Sequence, residues 1–517
     1  MGEGTLPDWK VNRPVRLAAF WAAYLAVSAV ALAIYIRIVP SPDQWFFDYL
    51  AWLHLQGAPF YKGLFDMTWP GELFLHDFYL RLFGVHSWTA RAGDFLILQP
   101  AVLAIFEFLR RAGFPRAAVA AALVYPIIYV TSGGWMAGHR DFIATHFVIG
   151  AAIFALPSVR PGAWRPLLAG VLIGCATMMR PTFLAFVMMF PLALQQWRGA
   201  ARWPNALVTQ GLLFGLGLVT PIVFFIIYAL ATGTLHDWYV DSFRFVVDVY
   251  PVPEGRGRLP RLAAGVIVSM MWWLAIAAAI GAAFWMFLGR SKTGPALVAA
   301  MLATILLSYV VQNKGFGYHL AGLIPTFLIL GCAGADAAFE LPLRTAPLRN
   351  GAALLLAALL TLGTGLRLDH ARPVAPDWGR QDQGRALTLS DSQALADIVR
   401  TESAETDKIL IWGWEFQVGT FAERQSATRF VNTMAARLIR PGQPIFGSWL
   451  DEFDRELRDQ PPKFILVDQT VIPPDGRLPS QSTARDDAML QVVKRRVNSG
   501  YAIRAQHGTI TLLKRVD

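Results

Sequence analysis

Cysteine and charged residues are both scarce in this 517-residue sequence. The two cysteines, Cys175 and Cys332, lie inside apolar runs, where a thiol behaves as a small hydrophobic side chain. A disulfide framework is therefore excluded, and a thiolate metal site is not expected. Charged residues make up 16% of the chain against 55% hydrophobic residues, and the mean hydropathy is +0.41. This composition predicts an integral membrane protein rather than a soluble domain.

Motifs for nucleotide, redox and metalloprotease chemistry are also missing. The sequence has no His-Glu-x-x-His, Cys-x-x-Cys or P-loop pattern. The net charge of +10 does not indicate a nucleic-acid partner, because most Lys and Arg residues fall in short connectors between apolar runs. That distribution follows the positive-inside rule of membrane proteins. We therefore expect contact with membrane lipids, no nucleic acid and no required cofactor.

Apolar runs of about 20 residues predict about eleven crossings of a membrane by a polytopic α-helical protein. With Lys10, Arg13 and Arg16 in the cytoplasm, the connectors richest in Arg and Lys also fall there. Arg180-Pro181 interrupts one long apolar run, and we interpret it as a turn at the outer surface because proline ends or kinks a helix. The runs lie near 15–37, 90–109, 115–133, 141–157, 164–180, 181–196, 205–230, 262–288, 294–311, 318–337 and 350–367.

The pattern changes after the last apolar run. Residues 1–367 form the predicted transmembrane domain, with its first outer loop at 38–89, and residues 368–390 are a predicted exposed tether. Short buried strands at 408–413 and 463–468 alternate with helical stretches, which predicts a small α/β domain over 391–517. An odd number of crossings places this domain outside the cytoplasm.

The first outer loop carries two acids, Asp43 and Asp48, directly after the first apolar run. A carboxylate at the mouth of a membrane cavity can act as a general base. The alternative is that Ser41 or Asp43 caps a helix, and both interpretations can hold together. We interpret Asp48 as a solvated or capping residue.

Further polar residues lie at predicted outer helix ends. His139-Arg140-Asp141 opens the fourth crossing, where charged groups usually face a cavity; an Arg140–Asp141 ion pair is the structural alternative. Arg180, Arg244, Lys314 and His319 are candidates for binding a phosphate, which needs fixed cations. As the alternative, such side chains can extend to the lipid headgroups.

Several short motifs follow one another in an order that resembles a known family. They are Gly57-x-Pro59-x-Tyr61, Phe65-Asp66 before Pro70, Leu82-Phe83-Gly84, Arg180-Pro181-Thr182 and Lys314 followed by Tyr318-His319. With an aspartate after the first crossing, this layout resembles the GT-C polyprenyl-phosphate-sugar transferases. These include the bacterial relatives of protein O-mannosyltransferases and the lipid A aminoarabinose transferase. The resemblance covers nearly the whole chain and implies a GT-C-like fold.

The resemblance also implies roles for individual residues. Asp43 matches the aspartate of an Asp-Glu pair in the family, but Gln44 stands where the second acid often lies. That departure removes a candidate metal ligand, so a divalent metal is the less favoured alternative and Asp141 becomes the expected catalytic partner. Thr68 replaces a lysine that many relatives carry in this loop. The donor phosphate must therefore find other cations.

The implied function is an inverting glycosyltransferase. It would move a sugar from a polyprenyl-phosphate donor to a hydroxyl group of a glycan, lipid or protein on the outer face of the inner membrane, with the α/β domain in the periplasm. Asp43 would be the base, Arg180, Lys314 and His319 would hold the phosphate, and Tyr318 would donate a hydrogen bond. Asp66 and Arg244 are further substrate-site candidates. A transporter or flippase for lipid-linked sugars and a non-catalytic glycolipid binder are the alternatives.

Overall fold

A computed structural model describes residues 13–156, 162, 164–197, 203–249, 272–287, 293–312, 316–339, 387–433, 438–439, 442–443, 445–468 and 488–516. Helices dominate the part before residue 340, and they are numbered here in chain order. They are α1 Arg13–Tyr35, α2 Pro42–Leu55, α3 Pro70–Phe83, α4 Thr89–Arg111, α5 Pro115–Val130, α6 Arg140–Ala155, α7 Trp164–Met179, α8 Phe190–Trp197, α9 Trp203–Ala231, α10 Leu235–Tyr239, α11 Phe245–Asp248, α12 Trp272–Phe287, α13 Thr293–Gln312 and α14 Leu323–Ala338.

Five of the described helical segments are long and apolar enough to cross a membrane: Leu17–Tyr35, Thr89–Arg111, Pro204–Ala231, Thr293–Gln312 and Gly317–Ala338. Shorter apolar helices at Pro115–Val130, Trp164–Met179 and Trp272–Met286 lie between them in the chain. The total of about eleven crossings stays a prediction. Its last member, 350–367, lies outside the described residues, as do most of the tether at 368–390 and part of the loop at 231–261.

Helices α7 and α9 approach each other closely through glycine. A Cβ atom at Gly170 would lie 2.1 Å from the carbonyl oxygen of Phe214, and one at Gly217 would lie 2.1 Å from that of Leu167. Small residues allow this backbone approach where apolar surroundings provide little drive for helix association. Large apolar side chains of α9, including Leu212 and Phe224, are 70% and 69% exposed. This surface is suited to contact with lipid.

Helix α7 ends at Met179, directly before the Arg180-Pro181 turn that the sequence predicts. Arg180 is extended (φ −154°, ψ 115°), and Pro181 then begins a nine-residue 3₁₀ helix, Pro181–Met189, which continues into α8. Proline suits a first helical position because it has no N–H group to leave unpaired. The break therefore sets the Arg180 side chain at the junction of two helical segments.

The first outer loop is largely helical. Helix α2 begins after Ser41, whose hydroxyl accepts a hydrogen bond from the Gln44 N–H, while the Gln44 side chain accepts from the Ser41 N–H. This reciprocal capping box satisfies two of the N–H groups that a helix start leaves unpaired. Ser41, rather than Asp43, is thus the capping residue. Ten residues of α2 are buried, Gln44 to Leu53, so this helix lies within the protein.

The described residues between 387 and 516 form a mixed sheet with helices. The strands β1 Ile409–Trp412, β2 Phe464–Asp468, β3 Tyr501–His507 and β4 Ile510–Arg515 lie in the order β1-β2-β4-β3. The β1–β2 pair is parallel, and β4 is antiparallel to both β2 and β3. Helices α15 Leu389–Thr401, α16 Phe416–Ala422, α17 Phe446–Asp459 and α18 Ala488–Gly500 accompany it.

This α/β unit packs directly on the first outer loop. Trp45 and Phe46 of α2 contact Phe421 and Phe416 of α16, with ring centroids 5.2 and 4.9 Å apart. The hydroxyl of Tyr49 donates to the carbonyl oxygen of Arg424 at 2.8 Å. One buried apolar cluster therefore includes residues of both the loop and the sheet. The domain boundaries and the side of the membrane stay predictions.

The first turn of α3 lies against the end of α7. A Cβ atom at Gly71 would lie 2.6 Å from the carbonyl carbon and oxygen of Met178. We expect Gly71→Ala to force these backbones apart and to destabilise the fold by ~1–3 kcal/mol, measured as a lower midpoint of thermal unfolding in detergent. Gly63→Ala is the matched control, because its nearest neighbour would be 3.7 Å away. Equal midpoints for the two variants would contradict the close approach.

Candidate functional site

The turn before α6 is held in place by buried polar groups from other elements. The side-chain amide of Gln44 donates to the carbonyl oxygen of Ala137 at 3.0 Å. Gly138 has a φ of +75°, and a Cβ atom there would lie 2.2 Å from the Gln44 amide nitrogen. Only glycine fits this left-handed position without strain. Gln44, which stands where the family often has an acid, is therefore used to hold the turn that leads to His139.

Arg91 forms a second support for the same turn. It is completely buried, and its guanidinium donates to the carbonyl oxygens of Ile38, Val39, Gly134 and Ala137 and to the Tyr35 hydroxyl. Asp94, one helical turn along α4, accepts from the hydroxyls of Tyr35 and Tyr129 at 2.5 and 2.6 Å. The end of the first crossing and the turn before α6 are thereby joined.

Asp141 is the centre of a buried ionic network. Its Oδ1 lies 3.1 Å from Nε of Arg180, and its Oδ2 lies 3.1 and 3.2 Å from the Nδ1 atoms of His139 and His319. Arg180 also contacts His319, 2.7 Å from Nη2 to Nδ1, and donates to Gln312. The structure thus brings Asp141, Arg180 and His319 together, although they lie up to 178 residues apart in the sequence.

Tyr318 adds an aromatic wall beside this network. Its ring centroid lies 4.4 Å from that of His139, and it stacks with Trp135 and Phe316 at 5.8 and 5.2 Å. Phe316 is 43% exposed, so the stack reaches the surface. Flat apolar surfaces next to polar groups are typical of pockets that bind sugars or lipid-linked groups.

Asp43 lies beside this network and is half-buried. Burial raises the pKa of its carboxyl group, while the nearby side chains of His139, Arg140 and Arg180 act in the opposite direction. Among the described residues, no hydrogen bond or ion pair holds its side chain. A carboxylate with a raised pKa next to cations is suited to accept a proton from a bound group.

Arg140 has a different partner from the one considered in the sequence. Its Nη1 donates to the Thr68 hydroxyl at 3.0 Å, and Thr68 in turn donates to Asp66 Oδ1 at 3.1 Å. Within the part of the chain that the structure describes, Arg140 makes no ion pair with Asp141, whose guanidinium partner is Arg180. The structural alternative considered above, an Arg140–Asp141 ion pair, is therefore wrong. Arg140, which sequence reasoning did not assign to the site, lies near both Asp43 and Asp141.

The interpretation of Asp48 as a solvated or capping residue is also wrong. Asp48 is buried, not solvated, and its Oδ1 lies 2.7 Å from Nδ1 of His76. Glu72, 3.8 Å from Nε2 of the same imidazole, completes this group. Burial lowers the pKa of His76, but the two carboxylates outweigh it and raise the pKa to about 9. Glu72 interacts electrostatically with Asp43 and was missed, because no spacing in the sequence relates the two residues.

The remaining candidates fall into two groups. Asp66 is buried next to Thr68 and so joins the site through Arg140. Arg244 pairs with Asp248 at 2.8 Å on the surface, and no contact among the described residues links it to Asp141. Lys314 lies outside the described residues.

His139, Asp141 and His319 could in principle ligate a metal, because one atom from each lies within 4.8 Å of the others. Two imidazoles and a carboxylate suit several divalent cations. Arg180, however, contacts both Asp141 and His319, and its fixed positive charge opposes a cation at the same place. The arrangement therefore fits an ion-pair network better than a metal centre, and independence from metal stays a prediction.

Comparisons with known proteins bear on the fold that holds these residues. Residues 70–225 match the family described as dolichyl-phosphate-mannose-protein mannosyltransferase. The structure is similar to that of ArnT from Cupriavidus metallidurans bound to undecaprenyl phosphate, with a TM-score of 0.59, 12% identity and coverage of 97% of this chain and 98% of that one. The apo form of the same protein matches with a TM-score of 0.57 and 13% identity over the same shares of the two chains.

The chain has the GT-C fold. The resemblance predicted from the sequence is thereby confirmed. The arabinofuranosyltransferase AftD from Mycobacteria also shares this GT-C fold, with a TM-score of 0.50 and 13% identity over 96% of this chain and 40% of that one. No curated protein sequence matches the chain significantly.

Arg180 should be essential to the stability of the GT-C site. Removing one member of a buried ion pair leaves the other charge uncompensated, so we expect Arg180→Ala to destabilise the fold by ~3–5 kcal/mol, measured by thermal unfolding in detergent. Arg244→Ala, which breaks only the exposed pair with Asp248, should leave the midpoint unchanged. An unchanged midpoint for Arg180→Ala would show that Asp141 does not depend on this guanidinium.

Asp66 should make stability depend on pH. Burial raises its pKa to about 7, although hydrogen bonding to Thr68 lowers it, compared with about 3.9 in an unfolded chain. Between these two pKa values the folded state holds a proton that the unfolded state has lost. The stability present while Asp66 is protonated is therefore lost as pH rises through 7. Asp66→Asn should therefore stabilise the protein by ~1 kcal/mol or more at pH 8, and change little at pH 4, where the unfolded state is also substantially protonated, in thermal unfolding.

Asp77→Asn provides a control of opposite sign. Partial burial raises the pKa of Asp77, but His54 and Arg81 lower it overall. This carboxylate therefore stabilises the fold at neutral pH, and its replacement should lower the unfolding midpoint at pH 8. The same response from both variants would contradict the assignment for Asp66.

Proposed function

We propose that the chain is an inverting glycosyltransferase that moves a sugar from a polyprenyl-phosphate donor to a hydroxyl group. The observation that carries this proposal is the half-buried Asp43 carboxylate, held beside the guanidinium groups of Arg140 and Arg180. A transfer of this kind needs a base for the incoming hydroxyl and cations for the departing phosphate. Both lie here within one site of the GT-C fold.

Asp43 acts as the general base in this proposal. It takes the proton of the acceptor hydroxyl as the acceptor oxygen attacks the anomeric carbon of the sugar. The bond between that carbon and the phosphate oxygen breaks from the opposite side, so the configuration inverts. The electron pair of the broken bond leaves with the polyprenyl phosphate, and Asp43 ends the step protonated.

Arg140 and Arg180 stabilise the departing phosphate. Arg180 is fixed by Asp141 and Gln312, and Arg140 is oriented by Thr68, so both positive charges are in place before the reaction. Charges that are already oriented stabilise a transition state without further reorganisation. His319 helps to hold Arg180, and Tyr318 supplies an aromatic surface for the sugar. Lys314 and Arg244 stay candidates for the phosphate, because the sequence predicts both cations at outer helix ends.

The donor class is supported by the bound state of a protein with the same fold, the ArnT of Cupriavidus metallidurans, whose structure contains undecaprenyl phosphate. The exposed apolar surface of α9 suits a site that must admit a lipid chain from the bilayer. We place the protein in the inner membrane, with the α/β unit in the periplasm. The acceptor is a hydroxyl group of a glycan, lipid or protein.

Asp43→Asn tests the base. The amide keeps the shape of the side chain but cannot take a proton, so transfer from a polyprenyl-phosphate sugar in proteoliposomes should fall by about 10² to 10⁴-fold. The wild-type rate should also fall as pH drops through the raised pKa of Asp43, because only the carboxylate accepts a proton.

Asp77→Asn is the matched control for this experiment, since it makes the same change in α3 of the same loop but at an ion pair with Arg81. Its rate per folded molecule should equal that of the wild type. Wild-type turnover by a folded Asp43→Asn variant would remove Asp43 as the base.

A further inference from the structure

Arg429 of the α/β unit contacts Asp241 through its side chain and the first outer loop through its backbone carbonyl oxygen. Its side chain is only 12% exposed, its Nε lies 2.9 Å from Glu452 Oε1, and its Nη1 lies 3.6 Å from Asp241 Oδ2. The guanidinium also lies over the rings of Phe430 and Trp449, 4.5 and 5.0 Å from their centroids. These partners orient the guanidinium, whose charge faces Asp241.

Phe65 is inserted into the same place. Its ring packs against Phe245, Phe430 and Trp449, with centroids 5.1, 5.9 and 4.9 Å away, and its backbone N–H donates to the Arg429 carbonyl oxygen at 2.7 Å. Phe65 is completely buried. The loop segment that follows, Asp66–Thr68, is therefore anchored to the α/β unit at its start.

Two buried acids lie close together here, and Arg429 compensates one of them, Asp241. Asp66 and Asp241 repel each other, and burial raises the pKa of both carboxyl groups. Among the described residues, Asp66 Oδ2 and both carboxylate oxygens of Asp241 have no hydrogen-bond donor. The Arg429 guanidinium is the positive charge that faces Asp241, while Arg140 is the one that acts on Asp66. Without Arg429, Asp241 would be a buried charge without compensation, directly beside Ser242 and Asp66.

Three segments of the chain meet at Thr68. Its carbonyl oxygen accepts from the hydroxyls of Tyr61 at 2.8 Å and Ser242 at 3.4 Å, and its own hydroxyl donates to Asp66 and accepts from Arg140. Within the described part of the chain, the hydrogen bond to the Thr68 hydroxyl is the one that orients Arg140, because the buried Nε of Arg140 has no acceptor. A displacement of Thr68 would therefore change where the Arg140 charge points.

We propose that Arg429 is a positioning residue of the α/β unit that fixes the segment Phe65–Thr68 and, through the Thr68 hydroxyl, orients Arg140 toward the phosphate of the lipid donor. The phosphate part of this inference rests on the proposed function. The positioning part rests on a chain of contacts: the Arg429 guanidinium faces Asp241, the adjacent Ser242 donates to the Thr68 carbonyl oxygen, and the Thr68 hydroxyl accepts from Arg140. The α/β unit is then a component of the donor site rather than an attached domain.

The first experiment measures the positioning without any ligand. Hydrogen exchange of the full-length protein in detergent should show faster exchange of backbone amides in 65–68 and 139–141 for Arg429→Met than for the wild type. Arg429→Lys keeps the positive charge and should restore most of the protection. The control is Arg458→Met, which removes an exposed pair with Asp454 in α17 and should leave both segments unchanged.

The second experiment measures binding of undecaprenyl phosphate to the same proteins, with undecaprenol as the uncharged comparison. Arg429→Met should raise the Kd for the phosphate by about tenfold, the size expected for one charge-assisted hydrogen bond. It should leave the Kd for undecaprenol unchanged. Adding Thr68→Val to Arg429→Met should give no further loss, since both changes act on the same link.

The outcomes separate the two proposals. A folded Arg429→Met variant with wild-type protection from exchange and wild-type phosphate affinity would overturn the positioning role. A double variant whose loss of phosphate affinity equals the sum of the losses of Arg429→Met and Thr68→Val would overturn it too. If Arg429→Met does not fold, Thr68→Ser should bind the phosphate normally and Thr68→Val should not; normal binding by Thr68→Val overturns the link. A wild-type protein that does not prefer the phosphate over undecaprenol would refute the proposed donor, while the exchange result would still decide the positioning.

Discussion

A fully buried guanidinium must find an acceptor for each of its N–H groups, and Arg91 meets this requirement in a way that determines the rest of the site. Its acceptors come from the end of the first crossing, at Ile38 and Val39, and from the turn before α6, at Gly134 and Ala137. Two segments about 95 residues apart are thereby held side by side. Asp43 follows the first and Asp141 follows the second.

The same requirement explains why the site contains so many paired charges. Asp141 is buried with Arg180 and His319, Asp48 with His76, and Asp241 near Arg429. Each pair joins segments that are distant in the chain, so charge compensation selects a tertiary arrangement that apolar packing alone would leave free. Asp43 differs because it lies at the edge of these pairs without its own ion-pair partner among the described residues. That difference separates a residue available for chemistry from residues that hold the structure.

Much of the helical layout could be predicted from the sequence, because apolar runs and proline act locally. The end of α7 at Met179 and the break at Pro181 are examples. The strands at Ile409–Trp412 and Phe464–Asp468 also lie where short runs of β-branched and aromatic residues predict them. The helical content of the first outer loop was only partly predicted, since α3 depends on packing against α7 and α4.

The site was less predictable, because partners there are chosen by tertiary contacts. Arg140 and Asp141 are adjacent in the chain, but neighbours in a helix point in different directions, and Asp141 pairs instead with Arg180. Asp48 lies in an outer loop, where a solvated acid is the ordinary expectation, and nothing in its local sequence indicates His76, 28 residues further on. Gln44 could be recognised as a departure from a family pattern, but its bond to Ala137 could not.

The 3₁₀ helix after Arg180 has a consequence for the length of the segment that the sequence predicts as a crossing at 181–196. Its nine residues rise by about 2.0 Å each and the eight of α8 by about 1.5 Å each, so these two segments together extend about 30 Å, the thickness of the hydrocarbon core. The same nine residues in an α-helix would be about 4.5 Å shorter. With α8 held in place, that contraction would draw Arg180 away from Asp141. The unusual backbone thus acts as a spacer that keeps a charged side chain at the depth where its partners lie.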